Sequence, residues 1–110
     1  RAILVVARHQ LAGAFGQGHN TTVAVVATDG VLDKLALQGV ARAAGAALHR
    51  RVRPAGSLVD GDVIFALAPL SGSNADPVRA EMLAVAALEL AIERAVRTAV
   101  GRDGVPGLAG

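Results

Sequence analysis

The sequence has no cysteine, tryptophan or tyrosine, a single methionine, and only two aromatic side chains, Phe15 and Phe65. Without cysteine there is no disulfide, no thiolate metal site and no cysteine nucleophile. With so few aromatics there is almost nothing on which nucleobases could stack. The one basic cluster, Arg50, Arg51 and Arg53, therefore reads as a solvated helix end, and no nucleic-acid partner is expected. Charge is sparse as well: charged residues make up 18% of the chain and the net charge is +2. The high isoelectric point of about 10.4 reflects arginines titrating with no Tyr or Cys beside them, not a block of positive charge. The longest early apolar run, Ala2 to Ala7, is far short of the ~20 residues that span a bilayer. It also lacks the layout of a signal peptide. A cytoplasmic protein with no membrane partner is the expectation. The three histidines, His9, His19 and His49, are scattered, none of them at metal-ligand spacing. There is no P-loop, dinucleotide fingerprint or Gly-x-Ser-x-Gly elbow.

What is present is a chain of 110 residues, 53% hydrophobic, whose apolar content is mainly Ala, Val and Leu. Small side chains bury little area each, at roughly 25 cal/mol per Å². A chain of this length with so light a core is marginal alone. It is expected to lean on another segment or subunit. It begins with Arg1 rather than Met, which reads as a missing upstream part.

Ala2 to Ala7 (AILVVA) reads as a short buried strand, followed by a Gly-rich, flexible loop from Leu11 to Asn20. Thr22 to Thr28 (TVAVVAT) is β-branched and closed by Asp29-Gly30, the pattern of a second buried strand. From Asp33 to about Arg51 the period becomes helical, with Leu37, Val40, Ala41, Ala44 and Leu48 on one stripe. Gly39 and Gly45 within that helix each cost up to ~1 kcal/mol relative to Ala, which points to close packing against their backbone. Asp62 to Ala68 (DVIFALA) reads as a third strand, stopped by Pro69. Asp76-Pro77 is a helix start, with Asp as N-cap and Pro in the first helical position. This second helix is expected to run to about Val100, buried on more than one side, and the residues after it read as a loose tail. Alternating strands and helices argue for an α/β arrangement. The second and third strands, joined through a helix, could be parallel neighbours.

Two places carry candidate chemistry. In Gly18-His19-Asn20-Thr21-Thr22 a Gly-rich loop delivers Thr21 to the edge of a buried strand. A Thr hydroxyl there could attack the preceding carbonyl, and the freed α-amine could then serve as base for the hydroxyl. The plain alternative is a loop entering a strand. In Asp60-Gly61-Asp62, two carboxylates flank a glycine before an apolar strand. Such a pair can orient an ammonium group or share a proton, and the plain alternative is an ordinary turn.

Taken together, NTTVAVVATDGVLDK, ARAAGAALHRRVRP and DGDVIFALA resemble, in order and spacing, the small-subunit region of the L-aminopeptidase/D-esterase family of self-cleaving N-terminal-nucleophile hydrolases, which includes nylon-oligomer hydrolases and β-peptidyl aminopeptidases. The resemblance covers about Asn20 to Ala68, and the helix after Asp76 in character. It implies a cut between Asn20 and Thr21, Thr21 as nucleophile, and Asp60 and Asp62 as assisting carboxylates. It implies an α/β fold, here a fragment of a four-layer αββα sandwich. Residues 1–20 would be the end of the large-subunit region or a linker before the cleavage point, and residues 21–110 the small-subunit region. The implied partners are the large-subunit segment of the same precursor, a small amide or peptide substrate, and further copies in a homo-oligomer. No metal or organic cofactor is implied. The Lys and Asn that complete the site in such relatives are outside this chain, so these residues alone are expected to be inactive. Two other functions fit the same pattern: an acyltransferase of the ornithine acetyltransferase kind, and a non-catalytic partner module. Asn20 and DGDVIFALA favour the hydrolase.

Overall fold

The computed structural model describes residues 3–10, 21–51 and 62–110. Their order is β1 (Ile3–Gln10), β2 (Thr21–Thr28), α1 (Lys34–Arg51), β3 (Val63–Leu67) and α2 (Pro77–Arg97). The expected loop from Leu11 to Asn20 falls outside the described residues.

The three strands form one sheet in the order β1-β2-β3. β1 and β2 pair antiparallel over eight residues, from Ile3 opposite Thr28 to Gln10 opposite Thr21. β2 and β3 pair parallel, from Val23 beside Val63 to Ala27 beside Leu67. The first strand is longer than its apolar run predicts. Arg8, His9 and Gln10 do not read as strand, yet cross-strand pairing with Val23, Thr22 and Thr21 extends β1 through them.

Both helices start on aspartate. The Asp33 carboxylate accepts from the Ala36 N–H at 2.8 Å, so Asp33 is the cap of α1 and not its first turn. The Asp76 carboxylate accepts from the Val78 N–H at 3.2 Å, with Pro77 opening α2. α2 ends at Arg97, earlier than expected: Thr98 still donates its N–H, and its hydroxyl, to the Arg94 carbonyl, but the next N–H, that of Ala99, reaches back only three residues to the Val96 carbonyl, at 3.4 Å. The two helices pack side by side on one face of the sheet, α2 over β1 and α1 over β3. Their inner rows are Val40, Ala44, Ala47 and Leu48 on α1, and Ala80, Ala84, Leu88 and Ile92 on α2. Beneath the seam Ala24 and Val26 of β2 are fully buried. Arg50 and Arg51 at the end of α1 pair with Glu89 of α2, at 2.8 and 4.0 Å.

The tight approach anticipated at Gly39 is present: a Cβ there would sit 2.6 Å from the Glu81 carboxylate oxygen of α2. At Gly45 the nearest atom, Ile64 Cδ1 at 3.8 Å, is an ordinary contact. A tighter point is Gly30, where a Cβ would meet the Ala75 side chain at 2.6 Å and its Cα at 3.1 Å. This contact belongs to a short parallel bridge, Val31 beside Asn74, that ties the chain after β2 to the chain before α2.

Two expectations are corrected. The helix α2 is not buried on more than one side: Val78, Met82, Leu90 and Val96 lie exposed on its outer face. Nor is the tail loose. Arg102 and Val105 exchange both backbone hydrogen bonds, and Asp103 and Gly104 have φ of +53° and +81° between them. Positive φ at both central residues is the geometry of the tight Asp-Gly hairpin turn. The tail folds back so that the Ala109 N–H reaches the Ala99 carbonyl.

The far face of the sheet has no cover among the described residues. On β3 the alternation turns Ile64 and Ala66 toward the helices and leaves Val63, Phe65 and Leu67 exposed. Phe65 is 52% exposed although it pairs with Val25 in mid-sheet.

Two predictions follow from this packing. Gly30→Ala must move backbone and should lower stability by about 1–3 kcal/mol, the range for overpacking. Gly39→Ala meets only the end of a movable side chain and gains helix propensity, so it should be neutral or stabilising by up to ~1 kcal/mol. Equal losses in denaturant unfolding would refute the contrast. Residues 1–110 on their own should self-associate through the open apolar sheet face, and Phe65→Lys should reduce that association. A monomer in sedimentation, with the same behaviour for the variant, would count against it.

Candidate functional site

Thr21 is the first residue of β2, and in the antiparallel ladder it stands opposite Gln10, the last residue of β1. The parallel ladder begins with Val23 beside Val63. One step back along both strands sets Asp62 level with Thr22, adjoining Thr21. The fold therefore brings two of the residues selected from sequence, Thr21 and Asp62, to one end of the sheet, although they are separated in the chain by α1. Asp62 is half-buried, immediately before β3. Asn20 and Asp60 lie outside the described residues, so the Asn20–Thr21 bond and the Asp60 carboxylate carry no geometry here.

The reason for this meeting lies in topology. Two parallel strands joined by a returning helix run in the same direction, so the N-terminal ends of the strands share one edge of the sheet. The polar residues before an apolar run then gather there: Thr21-Thr22 before VAVVAT and Asp62 before VIFALA. β1 contributes its opposite end to the same edge, because it runs antiparallel. Sequence reading ended β1 at Ala7 and so missed that Gln10 arrives opposite Thr21. The only signal for it would have been the pairing itself.

The clefts among the described residues are elsewhere. One of about 210 Å³ is lined by Asp29, Gly30, Ser73, Asn74 and Ala75. Its neighbour, of about 350 Å³, is lined by residues including Thr28, Asp76 and Arg79. Both lie at the opposite end of β2 from Thr21. A third, of about 410 Å³, sits between the ends of the two helices, beside Arg51, Glu93 and Leu108. None brings Thr21 and Asp62 into a walled pocket. Among the described residues there is no group of three or more His, Cys, Asp or Glu that could hold a metal ion, and no helix long and apolar enough to cross a membrane.

The model of peptidase family S58 matches residues 3–104. Over 89 residues, 81% of this chain, the sequence is 42% identical to an uncharacterized aminopeptidase of Mycobacterium bovis and equally to one of Mycobacterium tuberculosis. Over 49 residues, 44% of this chain, it is 55% identical to an uncharacterized aminopeptidase of Mycobacterium leprae, of which the match covers 14%. The chain belongs to peptidase family S58, the L-aminopeptidase/D-esterase family. The matched stretch amounts to 24% of the length of the first two relatives.

Proposed function

We propose that this chain carries the nucleophile-bearing part of a self-cleaving amide hydrolase of the aminopeptidase type, with Thr21 as the nucleophile. The observation that carries the reading is the position of Thr21: first residue of the central strand, at the sheet edge where Asp62 leads into β3. Family membership and the aminopeptidase names of the relatives support the same chemistry.

In the precursor, the Thr21 hydroxyl attacks the Asn20 carbonyl carbon. The amide C–N bond breaks, an ester forms to the Thr21 oxygen, and the Thr21 nitrogen takes a proton as it becomes an amine. Water then opens the ester, leaving a carboxylate on Asn20 and a free α-amine on Thr21. That amine accepts the hydroxyl proton when an amide substrate arrives, so that nucleophile and base belong to one residue. The Thr21 oxygen then bonds to the substrate carbonyl carbon, the amine portion of the substrate leaves with a proton, and water hydrolyses the ester. Asp60 and Asp62 act beside this centre, orienting the Thr21 ammonium or the amino group of the substrate. The substrate class is an amide of an N-terminal amino acid or an ω-amino-acid oligomer.

The uncovered apolar sheet face supports a further part of the reading. Val63, Phe65 and Leu67 on β3 stand beside Val23, Val25 and Ala27 on β2, forming one continuous apolar surface. A second sheet from the large-subunit segment of the same precursor would cover it, with its own helices outside. That is the four-layer αββα sandwich, of which the described residues form one helix layer and one sheet. The same segment would supply the remaining active-site groups.

N-terminal sequencing of the small fragment of the mature protein should begin Thr-Thr-Val-Ala-Val. Thr21→Ala should leave the precursor whole, and Thr22→Ala should still permit the cut. Any other first residue would remove Thr21 from its role. Asp60→Asn and Asp62→Asn should each lower kcat by ~10²-fold or more, the lower range for positioned acid–base groups, with little change in Tm. If Tm fell in step with turnover, the two aspartates would be turn residues and nothing more.

A further inference from the structure

The ladder between β1 and β2 closes on Gln10 opposite Thr21. Residues directly opposite in an antiparallel pair share a face of the sheet, with about 4.5–5.5 Å between their Cβ atoms. Burial fixes which face this is. Ala24 and Val26 of β2 lie under the helices, so Thr21 belongs to the other set, with Val23 and Val25. Gln10 and Thr21 therefore share the face turned away from the helices. His9 stands opposite Thr22, and Asp62 is level with Thr22, so both belong to the alternate row. Among the described residues, the one that the ladders set level with Thr21 is Gln10.

We propose that Gln10 is a positioning residue for the α-amine of Thr21. The inference rests on Thr21 being the nucleophile freed by the cut. Once freed, the neutral amine carries two N–H bonds and one lone pair, and it can turn about its bond to Cα. It serves as base for its own hydroxyl only while the lone pair faces that hydroxyl. An acceptor that takes one N–H stops the turning and leaves the lone pair for the hydroxyl proton. A glutamine side chain supplies such an acceptor, the carbonyl Oε1, on a stem long enough for the cross-strand distance. It does so without charge. An α-amine ordinarily titrates at about 7.7–8.0. A carboxylate opposite it would favour the protonated form, which cannot act as base, and a lysine or arginine offers no acceptor. Glutamine avoids both faults, and no proton of the reaction passes through it. Other charged or titratable groups stand at this end of the fold. Arg8 and His9 are on β1 and Asp62 precedes β3. Both helices run back toward this end, Arg50 of α1 meeting Glu89 and Gly39 meeting Glu81 of α2. On the opposite face they bring His49, Arg50 and Arg51 at the end of α1, and Glu93, Arg94 and Arg97 at the end of α2.

The test uses the intact mature protein and one amide substrate throughout, so that the substrate's own amino group contributes equally to every pH profile. Sequencing the small fragment of the parent protein comes first. A start other than Thr21 would fail the nucleophile assignment itself, before any change at Gln10 is made. Gln10→Met keeps the length and the main chain and removes the acceptor. Its kcat should fall ~10-fold, the worth of one hydrogen bond of about 1.4 kcal/mol, with KM within ~2-fold of the parent. Gln10→Glu keeps the acceptor and adds a charge. On the alkaline plateau its kcat should stay within ~3-fold of the parent, while the acidic limb of kcat/KM, which reports the free amine, moves up by about one pH unit. His9→Gln removes the neighbour that ordinarily titrates between about pH 5 and 8, and should leave that limb in place. Parental kcat in Gln10→Met would overturn the proposal, as would an unmoved limb in Gln10→Glu or a limb lost with His9→Gln. Equal kcat losses in the Met and Glu variants would make Gln10 a structural residue only. A precursor left whole by Gln10→Met would also overturn it, because no α-amine exists before the cut.

Discussion

The fold depends on the double pairing of β2. Among the described residues this strand is the only one with neighbours on both sides, β1 antiparallel and β3 parallel. The rest of the arrangement inherits its direction and register. Because β3 must run parallel to β2, the chain between them has to cross back over the sheet, and α1 is that crossing. Because β1 runs antiparallel, its end returns to the start of β2. The apolar sequence TVAVVAT can serve in this central position because both of its faces tolerate burial. Only one of them, carrying Ala24 and Val26, is closed by the helices.

The helix layer rests on small residues. Ala44 and Ala47 on α1, with Ala80 and Ala84 on α2, let the two helices and the sheet approach closely, and Gly39 lets the Glu81 side chain lie against the α1 backbone. The burial of such side chains contributes little apolar area each. Among the described residues Leu48, Leu88 and Val26 are the largest fully buried side chains. The Arg50–Glu89 pair across the seam is exposed on the arginine side, at 54%, so it contributes no more than about 1 kcal/mol. Its value is in register: it ties the last turn of α1 to the middle of α2. A layer built this way is thin, and the open sheet face opposite it needs cover for the same reason that the core is light.

Much of the fold was legible in the sequence, and the exceptions have physical causes. Both helices, the aspartate cap of α2 and the strands β2 and β3 show in local pattern, because period and capping are local properties; Asp33 reads as helix and is the cap of α1 instead. The length of β1 does not, because Arg8, His9 and Gln10 are strand residues only by virtue of their partners on β2. The hairpin turn at Asp103-Gly104 carried the Asp-Gly signal for a turn with positive φ at both positions. It was read as a tail because no apolar alternation flanks it. The early end of α2 was hidden in the same way: Thr98, Ala99 and Val100 continue the pattern, and the helix stops only in that the Ala99 N–H reaches back to Val96 instead of Ala95. Which face of β3 is buried was open too, since VIFAL is apolar throughout, and the side on which the helices pack decides it. Of the candidate site, Thr21 and Asp62 could be chosen by type and neighbourhood, but their meeting at one sheet edge is a consequence of the parallel pairing.

That pairing also explains how a chain could be cut at the site and keep its shape. The proposed cut separates β1 from β2 in the covalent chain, next to the Gln10–Thr21 pair. Eight cross-strand pairs, the last of them Gln10 with Thr21, join the two strands. The new chain end at Thr21 is therefore held by the same backbone pairing that held it before. α2 lies over β1 and packs against α1, so helices from the second piece clasp a strand of the first. A free amine created at a frayed terminus would sample many positions and would be a poor base for its own hydroxyl. Created at the first residue of the central strand, it is fixed by the pairing of Thr21 with Gln10 on β1. The constraint that makes β2 the centre of the fold is thus the one that a terminal nucleophile requires.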